Sequence, residues 1–204
     1  MKSSRLITSG GIVAFVFMVF ASLVGAQTLQ TLCSFNGARG ANPQAALTLG
    51  VDGNFYGTTA YGGIFNSTNK GIGTVFKMTT NGTLTTLVSF NGTNGAVPVA
   101  ALTLGIDGNF YGTTEGGGSG YGTVFNFYGT AAYGGSGYGT VFKVTTNGTL
   151  TTLVYFNGSN GANPMAALTL GNDGNFYGTT YGGGGNGQGT VFKVTTNGSL
   201  TTLV

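Results

Sequence analysis

An all-β fold is predicted: a β-propeller-like array of about three four-stranded antiparallel blades, incomplete or open, preceded by a signal-peptide helix. Three observations predict it. Asp-Gly-Asn-Phe-Tyr-Gly-Thr-Thr occurs at 52–59, 107–114 and 173–180, with Ala-Ala-Leu-Thr-Leu-Gly before it and a Gly-Thr-Val-Phe-Lys block after it. Such near-verbatim recurrence marks a repeat architecture, in which each unit is one supersecondary element. Each unit also pairs Asp-Gly and Asn-Gly turns with apolar, β-branched runs, the strongest short hairpin signal. Finally, the runs carry bulky groups on both faces, as in Thr-Leu-Thr-Thr-Leu-Val-Ser-Phe at 83–90. A sheet covered on both sides reads that way, whereas a sheet with one wet face alternates.

Residues 1–26 read as a secretory signal. Lys2 and Arg5 form a positive start, an apolar run follows, and Val24, Gly25 and Ala26 make a small-residue cleavage site. The run falls short of the ~20 residues that a membrane span needs. The repeat domain then occupies 27–204, with units at about 43–90, 98–156 and 164–204.

Composition excludes several classes of function. After residue 26 the charges are Arg39, Lys70, Lys77, Lys143 and Lys193 against Asp52, Asp107, Glu115 and Asp173, so five minus four leaves +1. No basic stripe for nucleic acid exists at that balance. The 15 Phe, 10 Tyr and many β-branched residues argue against disorder despite 41 Gly. Histidine is absent and cysteine occurs once, which removes His-based zinc sites and Ser/His or Cys/His nucleophiles. Cys33 fills the slot that Val88 and Val154 hold in the other copies, so it is expected to be a small core hydrophobe.

The strands are placed in order from these signals. Residues 28–35 match 83–90 and 149–156, so they read as the last strand of a unit whose earlier part is missing. The first complete unit runs through a strand at 45–50, a tight turn at 51–54, a strand at 55–59, and a Gly-, Asn- and Ser-rich loop at 60–71. It closes with a strand at 74–79, an Asn-Gly turn and a strand at 83–90. In both turns the two central residues are expected to take positive φ. A parallel β-solenoid is the alternative, but its coils are shorter and lack such hairpins. The unit recurs at 55 residues (Asp52 to Asp107) and at 66 (Asp107 to Asp173).

The longer interval has a visible cause. Residues 109–125 are followed at once by a near-copy at 126–142, so one hairpin runs into the next without a turn. An added hairpin or a defective blade is expected there. Three blades are fewer than the ~4–8 that close a ring, and 28–35 has no evident vacancy to fill. The chain therefore reads as part of a longer array or as an open stack.

The block from Leu-x-x-Leu-x-x-Phe-x-Gly through Asp-Gly-Asn-Phe-Tyr-Gly-Thr-Thr to Gly-Thr-Val-Phe-Lys resembles the Gloeo-Verruco ("GloVer") tandem repeat of bacterial choice-of-anchor surface proteins. The resemblance spans essentially all of the chain after residue 26. It implies an exported bacterial protein with propeller-like repeats and brings no catalytic residues.

Several motifs tempt a chemical assignment. Asp52, Asp107 and Asp173 hold one turn slot in successive units, so they would ring the fold instead of facing one another as an acid/base pair. Calcium loops need several oxygen ligands at alternating positions, and each turn has one Asp. Residues 182–187 fit G-x-G-x-x-G but lead into a strand, where a dinucleotide site needs a helix. Asn66, Asn81, Asn91, Asn147, Asn157 and Asn197 fit the glycosylation sequon mainly because Asn-Gly turns precede Thr or Ser.

The better candidate is a surface. Each unit has two minimal turns and two longer connections, and in a four-strand blade the longer pair emerges on one face. Loops on rigid scaffolds carry binding. That face would present Arg39, Asn42, Tyr61, Asn94, Glu115, Tyr133, Asn160, Asn163 and Tyr181, of which Tyr61, Asn94, Tyr133, Asn160 and Tyr181 are the candidate ligand-binding residues. Tyrosine and asparagine on glycine-rich loops suit weak, repeated contact with sugars. The expectation is a non-enzymatic protein outside the cell or on its surface, with polysaccharide or other surface proteins as partners and no cofactor or metal. The alternatives are a ligand-free spacer or stalk, and a hydrolase or lyase propeller, which would need clustered acids and bases.

Overall fold

Aromatic and β-branched residues separated by Asp-Gly and Asn-Gly turns build twelve short strands in the computed structural model, which describes residues 29–63, 71–118 and 137–204. The strands are β1 (Thr48–Leu49), β2 (Phe55–Thr59), β3 (Thr74–Met78), β4 (Leu84–Ser89), β5 (Thr103–Leu104) and β6 (Phe110–Thr114). They continue as β7 (Thr140–Val144), β8 (Leu150–Tyr155), β9 (Thr169–Leu170), β10 (Phe176–Thr180), β11 (Thr190–Val194) and β12 (Leu200–Thr202). They form three antiparallel sheets, β1-β2-β3-β4, β5-β6-β7-β8 and β9-β10-β11-β12, each an up-and-down meander. These are the expected blades. The expected signal-peptide helix lies outside the described residues.

The blades pack face to face through repeated contacts. Tyr56 of the first blade stacks on Phe110 of the second, with centroids 4.1 Å apart, and Tyr111 stacks on Phe176 of the third at 4.0 Å. Phe90 meets Phe142 edge-on, and Phe156 meets Phe192 in the same way. One buried cluster joins Tyr56, Val75, Val88 and Phe90 to Leu102, Phe110, Phe142 and Val144, and a second joins the next pair of blades. Burying such side chains contributes about 1.5–3 kcal/mol each, so the core lies between the sheets.

The innermost strand is shorter than expected, two residues where the sequence reads as six. In the second and third blades carbonyls of this segment are taken by the preceding blade, although β1, for which no preceding blade is described, is equally short. Thr48 donates its hydroxyl to the Leu102 carbonyl (2.6 Å) and Thr58 to that of Ala100 (3.1 Å); Thr103 and Thr113 repeat this toward Leu168 and Ala166. The turns also differ from expectation. Gly53 donates its N–H to the Gly50 carbonyl, and Gly82 to that of Thr79. Only the glycine is left-handed, at φ 73° and 88°. A three-residue loop ending in a left-handed glycine fits this pattern. Asp52 keeps ordinary φ because its carboxylate accepts the Asn54 N–H at 3.2 Å.

Two irregular regions also depart from expectation. The second blade is not defective: β6 pairs with β7 from Phe110↔Val144 to Thr114↔Thr140, the register of the other two blades. The chain thus uses the first Asn-Phe-Tyr and the second Gly-Thr-Val-Phe of the duplication, and most of what lies between is outside the described residues. Residues 31–35 form no strand, yet they do find a place. Phe35 meets Phe76 edge-on at 5.1 Å, as Phe90 meets Phe142, and the half-buried Cys33 packs with Phe76, Met78 and Leu84. This arm covers the outer half of the first blade where a preceding blade's outer strand would run.

Candidate functional site

Two buried threonines at the end of each central hairpin set up the loop face. The hydroxyls of Thr59 and Thr74 lie 2.7 Å apart, those of Thr114 and Thr140 2.9 Å, and those of Thr180 and Thr190 2.9 Å. Thr59 donates onward to the Tyr61 carbonyl, Thr114 to that of Gly116 and Thr180 to that of Gly182. The within-blade loop therefore starts from a fixed point. The connection that enters each blade then bonds to that loop. Ala41 and Tyr61 exchange N–H and carbonyl, as do Ala96 and Gly116, and Ala162 and Gly182. Gly63, Gly118 and Gly184 donate to Gly37, Gly92 and Gly158. The two long connections of each unit thus share one face and are knit together. A Cβ on Gly62 would meet the Gly37 carbonyl oxygen at 2.5 Å, which explains the Gly-Gly pair there.

The candidate side chains differ in what they leave free. Tyr181 is 79 % exposed, while Tyr61 is half-buried. The two are not equivalent: Tyr61 matches Gly116 and Gly182 in the ladder, so Tyr181 sits one residue earlier in its unit. Asn94 accepts the Asn91 N–H at 3.0 Å. Asn160 accepts the Asn157 N–H at 2.8 Å and donates to the Tyr155 carbonyl. Both amides hold their own turns. Tyr133 lies outside the described residues. Arg39 and Asn42 are exposed, and Asn163 donates to the Glu115 carbonyl at 3.1 Å. Desolvation raises the Glu115 carboxyl above the ordinary glutamate value.

The aspartates serve their own turns. Asp52 accepts hydrogen bonds from the Lys77 ammonium (2.9 Å), the Tyr56 hydroxyl (2.8 Å) and the Asn54 amide (2.8 Å). Lys77 foremost holds the Asp52 carboxyl well below the usual range. For Asp107 burial acts to raise the value, but hydrogen bonds from Asn109 and Tyr111 outweigh it and the net shift is downward. Asp173 is lowered chiefly by Asn175. The Tyr56 and Tyr111 hydroxyls are raised, by desolvation first and then by the aspartate each one meets. The sequence did not reveal this Asp–Tyr contact, although its spacing of four across the turn is constant. Among the described residues no three His, Cys, Asp or Glu side chains come together. The G-x-G-x-x-G at 182–187 leads into β11.

No curated protein matches the chain. A crystal structure of a protein described as a gluconolactonase is similar at 14 % identity and a TM-score of 0.42, over 76 % of this chain and 45 % of that one. The chain thus spans less than half of that protein, and no activity follows from so partial a likeness. The Gloeobacter/Verrucomicrobia repeat matches residues 18–127 and 126–204. With the blades, their shared faces and the recurring turn all in place, the chain belongs to the Gloeobacter/Verrucomicrobia repeat family.

Proposed function

We propose that this is an exported, non-enzymatic repeat protein that works at the cell surface or outside it, making weak, repeated contacts with polysaccharide through its loop face. The observation that carries this reading is the hydrogen-bonded knitting of the two long connections in every unit. It makes a stiff platform on which Tyr181 stands exposed and Tyr61 half-exposed. Stiff loops lose little entropy on binding, and aromatic rings on such loops can stack on sugar faces. Weak sites repeated along one molecule gain by avidity. The aspartates do not support hydrolysis, since each is engaged by its own turn.

A glycan array probed with the purified protein tests the proposal. Binding to a set of polysaccharides is expected, weakened several-fold by Tyr181→Ala or Tyr61→Ala. An array without signal contradicts it and favours a spacer or stalk. The commitment of the Asn94 and Asn160 amides to their own turns is the observation on the spacer's side.

A further inference from the structure

Nine Asn-Gly pairs recur along the chain, at Asn36, Asn81, Asn91, Asn94, Asn147, Asn157, Asn160, Asn186 and Asn197. Such a pair is open to spontaneous attack by the backbone on the side-chain amide, because glycine sets no side chain in the way of its own nitrogen. The fold holds eight of the nine amides. Asn81, in the turn after β3, accepts hydrogen bonds at Oδ1 from the Thr79 hydroxyl and from the Thr83 N–H and hydroxyl. Asn147 is held in the same way by Thr145 and Thr149, and Asn197 by the Thr195 hydroxyl. In the connections between blades the asparagines hold one another. Asn91 Oδ1 accepts the Asn94 N–H while Asn94 Oδ1 accepts the Asn91 N–H, and Asn157 and Asn160 repeat the exchange. Asn36 accepts the Arg39 N–H.

Asn186 differs in two ways. It is exposed in the loop between β10 and β11, and among the described residues its amide makes no hydrogen bond. Its surroundings are also open. A Cβ on Gly185 or Gly187 would meet nothing within 4 Å, whereas one on Gly148 would meet the Leu87 carbonyl oxygen at 2.9 Å and one on Gly198 that of Leu153 at 2.7 Å. Gly187 does donate its N–H to the Gly184 carbonyl at 3.1 Å, but the glycine of every other pair makes a comparable bond. The free amide and the open setting are therefore what set this pair apart.

We infer that Asn186 is a modification site, where the Gly187 nitrogen closes onto the asparagine side chain and the amide is lost. The Gly187 N–H gives its proton to hydroxide and the nitrogen attacks Asn186 Cγ. The N–Cγ bond forms, the Cγ–Nδ2 bond breaks and ammonia leaves, which yields a cyclic succinimide. Water then opens the ring at either carbonyl, to leave aspartate or isoaspartate. Closure needs rotation of the Asn186 side chain and backbone, which hydrogen bonds at Oδ1 oppose at the other eight sites. Each product adds a carboxylate to the loop that carries Tyr181, and takes the charges after residue 26 from five against four to five against five. Isoaspartate also adds one carbon to the backbone of that loop. The reaction needs no ligand and stands apart from the proposed contact with polysaccharide.

Ageing the purified, folded protein at mildly alkaline pH, with fragmentation mass spectrometry of its peptides at intervals, tests the inference. Asn186 is expected to convert first, on the order of tenfold faster than Asn81, Asn147 or Asn197, whose hydrogen bonds must open before attack. Isoaspartyl methyltransferase should label the same position. In chain unfolded by guanidinium the nine pairs should convert at similar rates, since glycine follows each asparagine. Asn186→Gln should remove the early product, because closure through the longer side chain is slower. Conversion of another Asn-Gly pair first, a rate at Asn186 no higher than the rest, or a preference for Asn186 that persists after unfolding would each overturn the assignment.

Discussion

Asp52 shows how one residue serves three purposes at once. Its carboxylate closes the turn through Asn54, fixes the Tyr56 hydroxyl and pairs with Lys77; the Tyr56 ring then stacks on the next blade. Its folded pKa is depressed, so the stabilisation is present above the unfolded value of about 3.9 and is lost as pH falls through the folded value. A carboxylate titration followed by NMR should find Asp52 well below the ordinary range, and Lys77→Met should bring it upward. An unchanged Asp52 in that variant would refute the pairing. Val97 shows the reverse case, a residue poorly suited to its place. It holds φ 55°, as Asn42 and Asn163 do at the same point of their units. A left-handed L-residue costs about 1–2 kcal/mol, and a β-branched one is a marked outlier. Asn163 also donates to the Glu115 carbonyl, a bond valine cannot make. Val97→Asn should therefore stabilise by about 1 kcal/mol in denaturant unfolding, from relieved strain and a bond to the Ala60 carbonyl, less the lost apolar packing. A lower midpoint would show that packing of Val97 outweighs both.

At the scale of the strand, the Phe-Tyr-Gly at the start of β2, β6 and β10 has a steric reason. A Cβ on Gly112 would sit 2.6 Å from the Phe142 ring, and Gly57 and Gly178 face Phe76 and Phe192 in the same way. The glycine opens the central pair so that the phenylalanine can lie across the sheet. Gly112→Ala should cost about 1–3 kcal/mol, the usual range for overpacking, read as a drop in the unfolding midpoint; a neutral effect would mean that the ring can move aside. The strands themselves were legible because Asp-Gly, Asn-Gly and the apolar runs are local signals. The length of the first strand in each blade was not, because the run continues past the two residues that pair, and the bonds that carry carbonyls of that segment to the preceding blade's threonines in the second and third blades leave no local pattern. The turn geometry was missed for a related reason: Asp-Gly suits a loop with two left-handed residues, but the bonds that Asp52 accepts hold it at ordinary φ.

Among the described residues, successive blades pack so that each shared face is specified by its neighbour. That explains why the repeat made the architecture readable while the ends and the duplication remained ambiguous. Residues 31–35 carry the sequence of an outer strand without a sheet of their own, so only three-dimensional packing could show them covering Phe76 and Met78. The duplication offered two candidate partners for β6, and selection of Thr140–Val144 gives the second blade the register of its neighbours. The loop face was foreseeable from turn lengths, but the offset between Tyr61 and Tyr181 becomes plain only in the ladder. The account rests on local antiparallel sheets covered by one another, and NMR cross-relaxation between protons tests this most directly. It predicts antiparallel backbone contacts between Gly57 and Phe76, Gly112 and Phe142, and Gly178 and Phe192, together with ring contacts from Tyr56 to Phe110 and from Tyr111 to Phe176. Parallel backbone contacts between equivalent strands of successive units, with no contacts inside a unit, would contradict it.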